Sequence, residues 1–161
     1  MHSDLSNTDN FQFSYLPDRV ATYFKDALGC FHDNHRHAFA AMCRLTIQAT
    51  ISDLGESARL KLFDIVRDVA EIAEVDDRTY RAVHDILFDA DNTSLYQSGN
   101  ISRETEAVLL ETVKDILHQC YIRPAVLRQK LKMRRFFASQ SEDISQDAPT
   151  VSPFKRPTGT G

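Results

Sequence analysis

The sequence predicts an all-α protein, a bundle of five or six helices, and three observations carry that reading. Apolar residues recur three and four positions apart along most of the chain, the period of a helix face rather than the alternation of a strand. Gly and Pro number five each in 161 residues and fall at segment edges or near the C-terminal end. That placement favours long regular elements over many tight turns. Hydrophobic residues make up 42% of the chain, enough for one core at this length, and nothing indicates a second domain.

Residues 1–14 are polar and turn-like and read as an N-terminal arm, with the bundle over 15–122. Pro17 suits the first turn of a helix because its missing N–H costs nothing there. Val20, Phe24, Ala27, Leu28 and Phe31 follow at helical spacing. The polar run from His32 to His37 reads as a turn. From Ala38 to Leu54 apolar residues cover nearly the whole helical circumference, so this helix must be surrounded and is the expected centre of the bundle. Gly55 follows it as a left-handed cap. A third helix fits Ser57 to Ala73, with Leu62, Phe63, Val66 and Val69 inward.

Asp76 and Asp77 can cap a fourth helix through Tyr80, Val83 and Leu87. A fifth begins near Ser102, where Glu104 and Glu106 suit the positive helix start, and carries the stripe Leu109, Val113, Ile116, Leu117 and Cys120. Pro124 is expected to break or kink the chain. A last, basic helix is predicted over 123–137. Residues 138–161 turn to Ser, Asp, Thr, Pro and Gly, and are predicted to be a disordered tail because they bury too little to offset ordering entropy.

Charge is distributed unevenly. The net value is −4, yet Asp53 to Asp115 holds fifteen acidic and seven basic side chains, and Arg123 to Arg135 holds six basic and no acidic ones. An acidic body with a basic appendage is the implied arrangement. Cys30, Cys43 and Cys120 show no paired spacing, which suits a reducing compartment. No apolar run approaches the ~18 residues of a membrane span. The expected location is cytoplasmic.

Four groups invite a chemical reading. Cys30, His32, His35 and His37 are of metal-ligating types, but their spacing does not match a tetrahedral zinc site, so no metal is expected. Arg78 and His84 are suited to charge stabilisation and proton transfer, yet six residues of helix place them on opposite sides, and solvated surface residues are expected. Asp89-Ala90-Asp91-Asn92 lacks the ligand pattern of a calcium loop. The fourth group is the most suggestive: Arg123, Arg128, Lys130, Lys132, Arg134 and Arg135, followed by Phe136 and Phe137. Such a segment can contact nucleic-acid phosphates, pair with the acidic body in cis or in a second subunit, or lie on an anionic membrane. No phosphate-binding Gly loop, GxSxG or HExxH motif is present, and no cofactor is expected.

The stretch Leu16–Gly55, with AFAAMCR at 38–44, and the following Leu60–Asp77 resemble an uncharacterised bacterial helical domain family. That family is grouped with the HEPN-like bundles (higher eukaryotes and prokaryotes nucleotide-binding), and the resemblance extends to about Leu127. It implies a helical bundle that acts as a homodimer with a protein partner; some related domains stand beside restriction–modification or other defence components. Catalytic HEPN members cut RNA with an arginine and a histidine at the loop after the penultimate helix. Here that loop corresponds to His84–Ser102, and Leu95 and Tyr96 stand where His-Pro is expected. The resemblance therefore implies a non-catalytic binding or regulatory module. A degenerate ribonuclease using His84 with Arg81 or Arg78 is the alternative, and a nucleic-acid-binding protein acting through the basic helix is a third reading.

Overall fold

The computed structural model describes residues 11–89 and 101–147, with side chains through 143. Its helices are α1 (Asp18–His32), α2 (Arg36–Leu54), α3 (Ala58–Ile72), α4 (Asp77–Phe88), α5 (Arg103–Leu117) and α6 (Arg123–Asp147). A single π-helical turn, His118–Ile122, joins α5 to α6. No strand occurs among the described residues.

α2 is the centre, as its pattern predicts, and packs against α1, α3, α4 and α5. Nine of its residues are buried; its exposed ones are His37 and Ala38 at the start, Leu45 and Gln48 in the middle, and Ser52, Asp53 and Leu54 in the last turn. Phe24 of α1, Phe39 and Ile47 of α2, Leu62 of α3, Leu87 of α4 and Leu109 and Ile116 of α5 form the fully buried core. Each such side chain contributes about 1.5–3 kcal/mol by leaving water. The buried hydroxyls of Thr46 and Thr50 donate to the carbonyls of Met42 and Thr46 at 2.8 Å, so neither enters the core unsatisfied.

Local chemistry sets the helix ends. Asp76 Oδ1 accepts from the Thr79 N–H at 2.8 Å and Ser102 Oγ from the Thr105 N–H at 3.1 Å, the N-caps expected for α4 and α5. After α1, Asn34 sits at φ 59° and the His35 N–H reaches back to the Cys30 carbonyl at 2.9 Å, which turns the chain sharply into α2. Gly55 closes α2 at φ 96° and ψ 160°. This is outside the left-handed helical well and open only to glycine.

Three expectations are corrected. The arm is not polar throughout: Phe11 and Phe13 pack on Phe24, with ring centroids 4.9 and 5.9 Å away, and only residues 1–10 lie outside the described ones. Pro124 does not break the chain. The wider π turn that precedes it needs no standard hydrogen bond from the proline nitrogen and relieves the clash of its ring with the preceding turn. The basic helix does not stop at Phe137 but runs to Asp147, ten residues into the stretch predicted to be disordered. Residues 138–147 contain neither Gly nor Pro, and Ser139 and Ser141 bond back to the carbonyls of Phe136 and Ala138 at 2.8 and 3.0 Å. The remainder, 148–161, lies outside the described residues.

Compactness divides the chain after Pro124, so the bundle and the remainder of α6 are separate units.

Candidate functional site

All six cations singled out in the sequence lie on α6 or at its first residue, and all are exposed. Among the described residues none of the six is ion-paired. Helical periodicity sorts them into two rows. Arg128, Lys132 and Arg135, at i, i+4 and i+7, share one face, while Arg123, Lys130 and Arg134 follow another. The first row spans about 10 Å at 1.5 Å per residue. Leu127, Leu131, Met133, Phe136 and Phe137 are interspersed and are 47–60% exposed, an unusual apolar load for a free helix surface.

The histidine-rich turn has a different role from the one its composition invites. No three His, Cys, Asp or Glu side chains converge on a point that could hold a metal ion among the described residues. Instead the turn starts α2 beside the start of α5. Arg36 donates from Nη1 to the Ile101 carbonyl at 3.1 Å, and its Nε lies 3.2 Å from Oε2 of Glu106, whose side chain is 9% exposed. Next to this tie opens a cleft of about 690 Å³ lined by Asn34, His35, Arg36, His37, Ala38, Ile101 and Arg103. Arg36 lies more than sixty positions from Arg103 and Glu106, and no spacing signal in the chain could have paired it with them.

His84 is not a solvated residue. Its ring lies 5.2 Å from Phe63, 5.0 Å from Phe88 and 6.1 Å from Tyr80, half-buried in an aromatic cluster between α3 and α4. Arg78 and Arg81 are exposed on α4. The imidazole is held by these tilted ring contacts, which account for its presence without chemistry. The acidic loop after Asp89 and the Leu95–Tyr96 pair lie outside the described residues.

The π turn is anchored by Tyr121, whose hydroxyl donates to Asp53 Oδ2 at the end of α2 over 2.8 Å. Burial first, and the neighbouring Asp53 carboxylate second, push the Tyr121 hydroxyl well above its usual pKa. It stays protonated and serves as a tether rather than a nucleophile. Burial likewise raises the Cys43 thiol well above its ordinary value and, to a lesser degree, that of Cys120; all three cysteines are free.

What fold and site define together is a class: an all-helical bundle followed by a long helix that exposes unpaired cations. No helix is long and apolar enough to cross a membrane among the described residues. No protein-family model, curated protein or solved structure matches the chain.

Proposed function

We propose that the chain is a non-catalytic binding module of the HEPN-like type, with α6 as its recognition element and nucleic-acid phosphates as the ligand of its cation row. One observation carries the reading: Arg128, Lys132 and Arg135 stand exposed and without ion pairs on one face, within a thirteen-residue segment that has no acid. Unneutralised cations at that spacing release counterions from a phosphate backbone, which supplies affinity without base recognition. The HEPN-like assignment rests on the resemblance over Leu16–Leu127 and accords with an all-helical bundle. The non-catalytic part is supported by the aromatic packing of His84 and by exposed arginines that make no contact with it.

In the homologous setting that the resemblance suggests, such a module acts as a regulator or adaptor for a protein partner and works as a dimer. Incubation of the purified chain with a mixed pool of RNA and duplex DNA at low salt tests the reading. Retention of nucleic acid with no shortening of the RNA is expected. RNA cleavage that His84→Ala abolishes would overturn it in favour of the ribonuclease alternative.

A further inference from the structure

α6 carries a second pattern, on the face opposite the phosphate row. Val126, Lys130, Met133, Phe137, Gln140 and Ile144 recur at alternating steps of four and three, the 3.5-residue period of a helix seam that packs against another helix. They run over about 27 Å of helix. Met133 and Phe137 in the middle of this seam are 53% and 60% exposed, and Phe136, 57% exposed, flanks them. Three large apolar side chains exposed side by side at Met133, Phe136 and Phe137 are not the surface of a helix that ends its packing in water.

We propose that this seam pairs with the same seam of a second copy of the chain, with the two helices antiparallel and the twofold axis at Arg135. Charge selects the partner and its direction. Residues 123–135 hold six cations and no acid; residues 136–147 hold Glu142, Asp143 and Asp147 and no cation. A parallel, in-register pair would set cation against cation along the first half and Lys130 against Lys130 inside the seam. Antiparallel pairing about Arg135 lays 123–135 of each copy along 135–147 of the other. The layers then match in kind: Met133 meets Phe137, and Lys130 meets Gln140. Two polar layers at defined heights fix the register, since a shift by one heptad would set Lys130 against Met133 in one direction and Gln140 against Phe137 in the other. Arg128, Lys132 and Arg135 point away from the seam, so the paired helices present two phosphate rows outward. Arg134, the one cation flanking the seam near the axis, stays at the solvent rim.

The inference does not depend on the phosphate reading, because seam and cation row lie on different faces and respond to different substitutions. The full chain, in a Cys30→Ser/Cys120→Ser background, is measured by sedimentation across a concentration series. A rise from 18.3 kDa to twice that mass is expected. Phe137→Glu with Met133→Glu is expected to hold the protein at the monomer mass while the thermal unfolding of the bundle stays unchanged. A monomer at every concentration, or a dimer that survives the double substitution, overturns the proposal. Direction is read separately by cross-linking: a mixture of Lys130→Cys and Gln140→Cys proteins is expected to form the mixed disulfide, and Lys130→Cys alone to form little. Efficient self-linking of Lys130→Cys would show parallel pairing and overturn the antiparallel arrangement. Loss of nucleic-acid binding with retention of the dimer would defeat the phosphate reading alone.

Discussion

Replacing Arg36 by alanine removes a side chain that ties the start of α2 to the start of α5. Two contacts go: the bond to the Ile101 carbonyl at 3.1 Å and the pairing with Glu106 at 3.2 Å. The greater cost lies in what is left behind, because Glu106 is 7% exposed and would be left buried without its partner. Breaking a fully buried pair costs about 3–5 kcal/mol. The Arg36 side chain is 34% exposed, so water recovers part of that loss. About 2 kcal/mol is the expected destabilisation, in line with hydrogen bonds to charged groups. For a domain of this size that lowers Tm by roughly 6 °C. Urea unfolding followed by circular dichroism measures it, with Arg36→Met, Glu106→Leu and the double variant Arg36→Met/Glu106→Leu alongside. The double variant is expected to lie closer to the parent than the sum of its singles, since it leaves no buried charge. An Arg36→Ala protein within about 0.5 kcal/mol of the parent, the range of ordinary surface changes, would refute the tie.

Other substitutions test other links. Ile47→Ala, at the centre of α2 and fully buried, is expected to cost about 2–5 kcal/mol in urea unfolding. Tyr121→Phe removes the bond to Asp53 and is expected to lower Tm at neutral pH. Because folding raises the Tyr121 pKa, its stabilisation is complete below the unfolded value of about 10 and is lost as pH rises through the folded value. The phenylalanine variant is therefore expected to lose less stability than the parent on titration above pH ~10. Asp76→Ala removes the cap of α4. The bonds from Thr79 hold the Asp76 carboxyl below its ordinary pKa, so the stabilisation is present above about pH 4 and lost as pH falls further. The Tm gap between parent and Asp76→Ala is expected to close on acidification, and a gap independent of pH would contradict the capping role.

The bundle was legible because its signals are local. The near-continuous apolar surface of α2, Gly55 after it, and the caps Asp76 and Ser102 are each read within a few residues. Pro124 misled because a proline rule assumes a regular α-helix before it, and the π turn His118–Ile122 changes that condition. Residues 138–147 misled through composition: Ser, Gln and Asp lower helix propensity only modestly, and the first helix breaker after Pro124 is Pro149. Helical spacing alone puts His84 on the surface, because it does not reveal that Phe63, on another helix, packs against it. The candidate site divides in the same way. The cations of α6 are contiguous and were visible; the tie of Arg36 to Glu106 joins residues seventy positions apart and exists only in the fold.

The salt dependence of binding to a 20-base-pair DNA duplex tests the phosphate reading of α6 most directly. Log K is expected to fall linearly with log salt, with a slope between about −3 for the Arg128, Lys132 and Arg135 row alone and about −4.5 when Arg123 and Arg134, which lie outside the seam, contribute as well. Neutralising the row with Arg128→Ala, Lys132→Ala and Arg135→Ala is expected to flatten the slope by about 3 while leaving the thermal unfolding of the bundle unchanged. No binding at low salt, or an unchanged slope in the triple variant, would contradict the account.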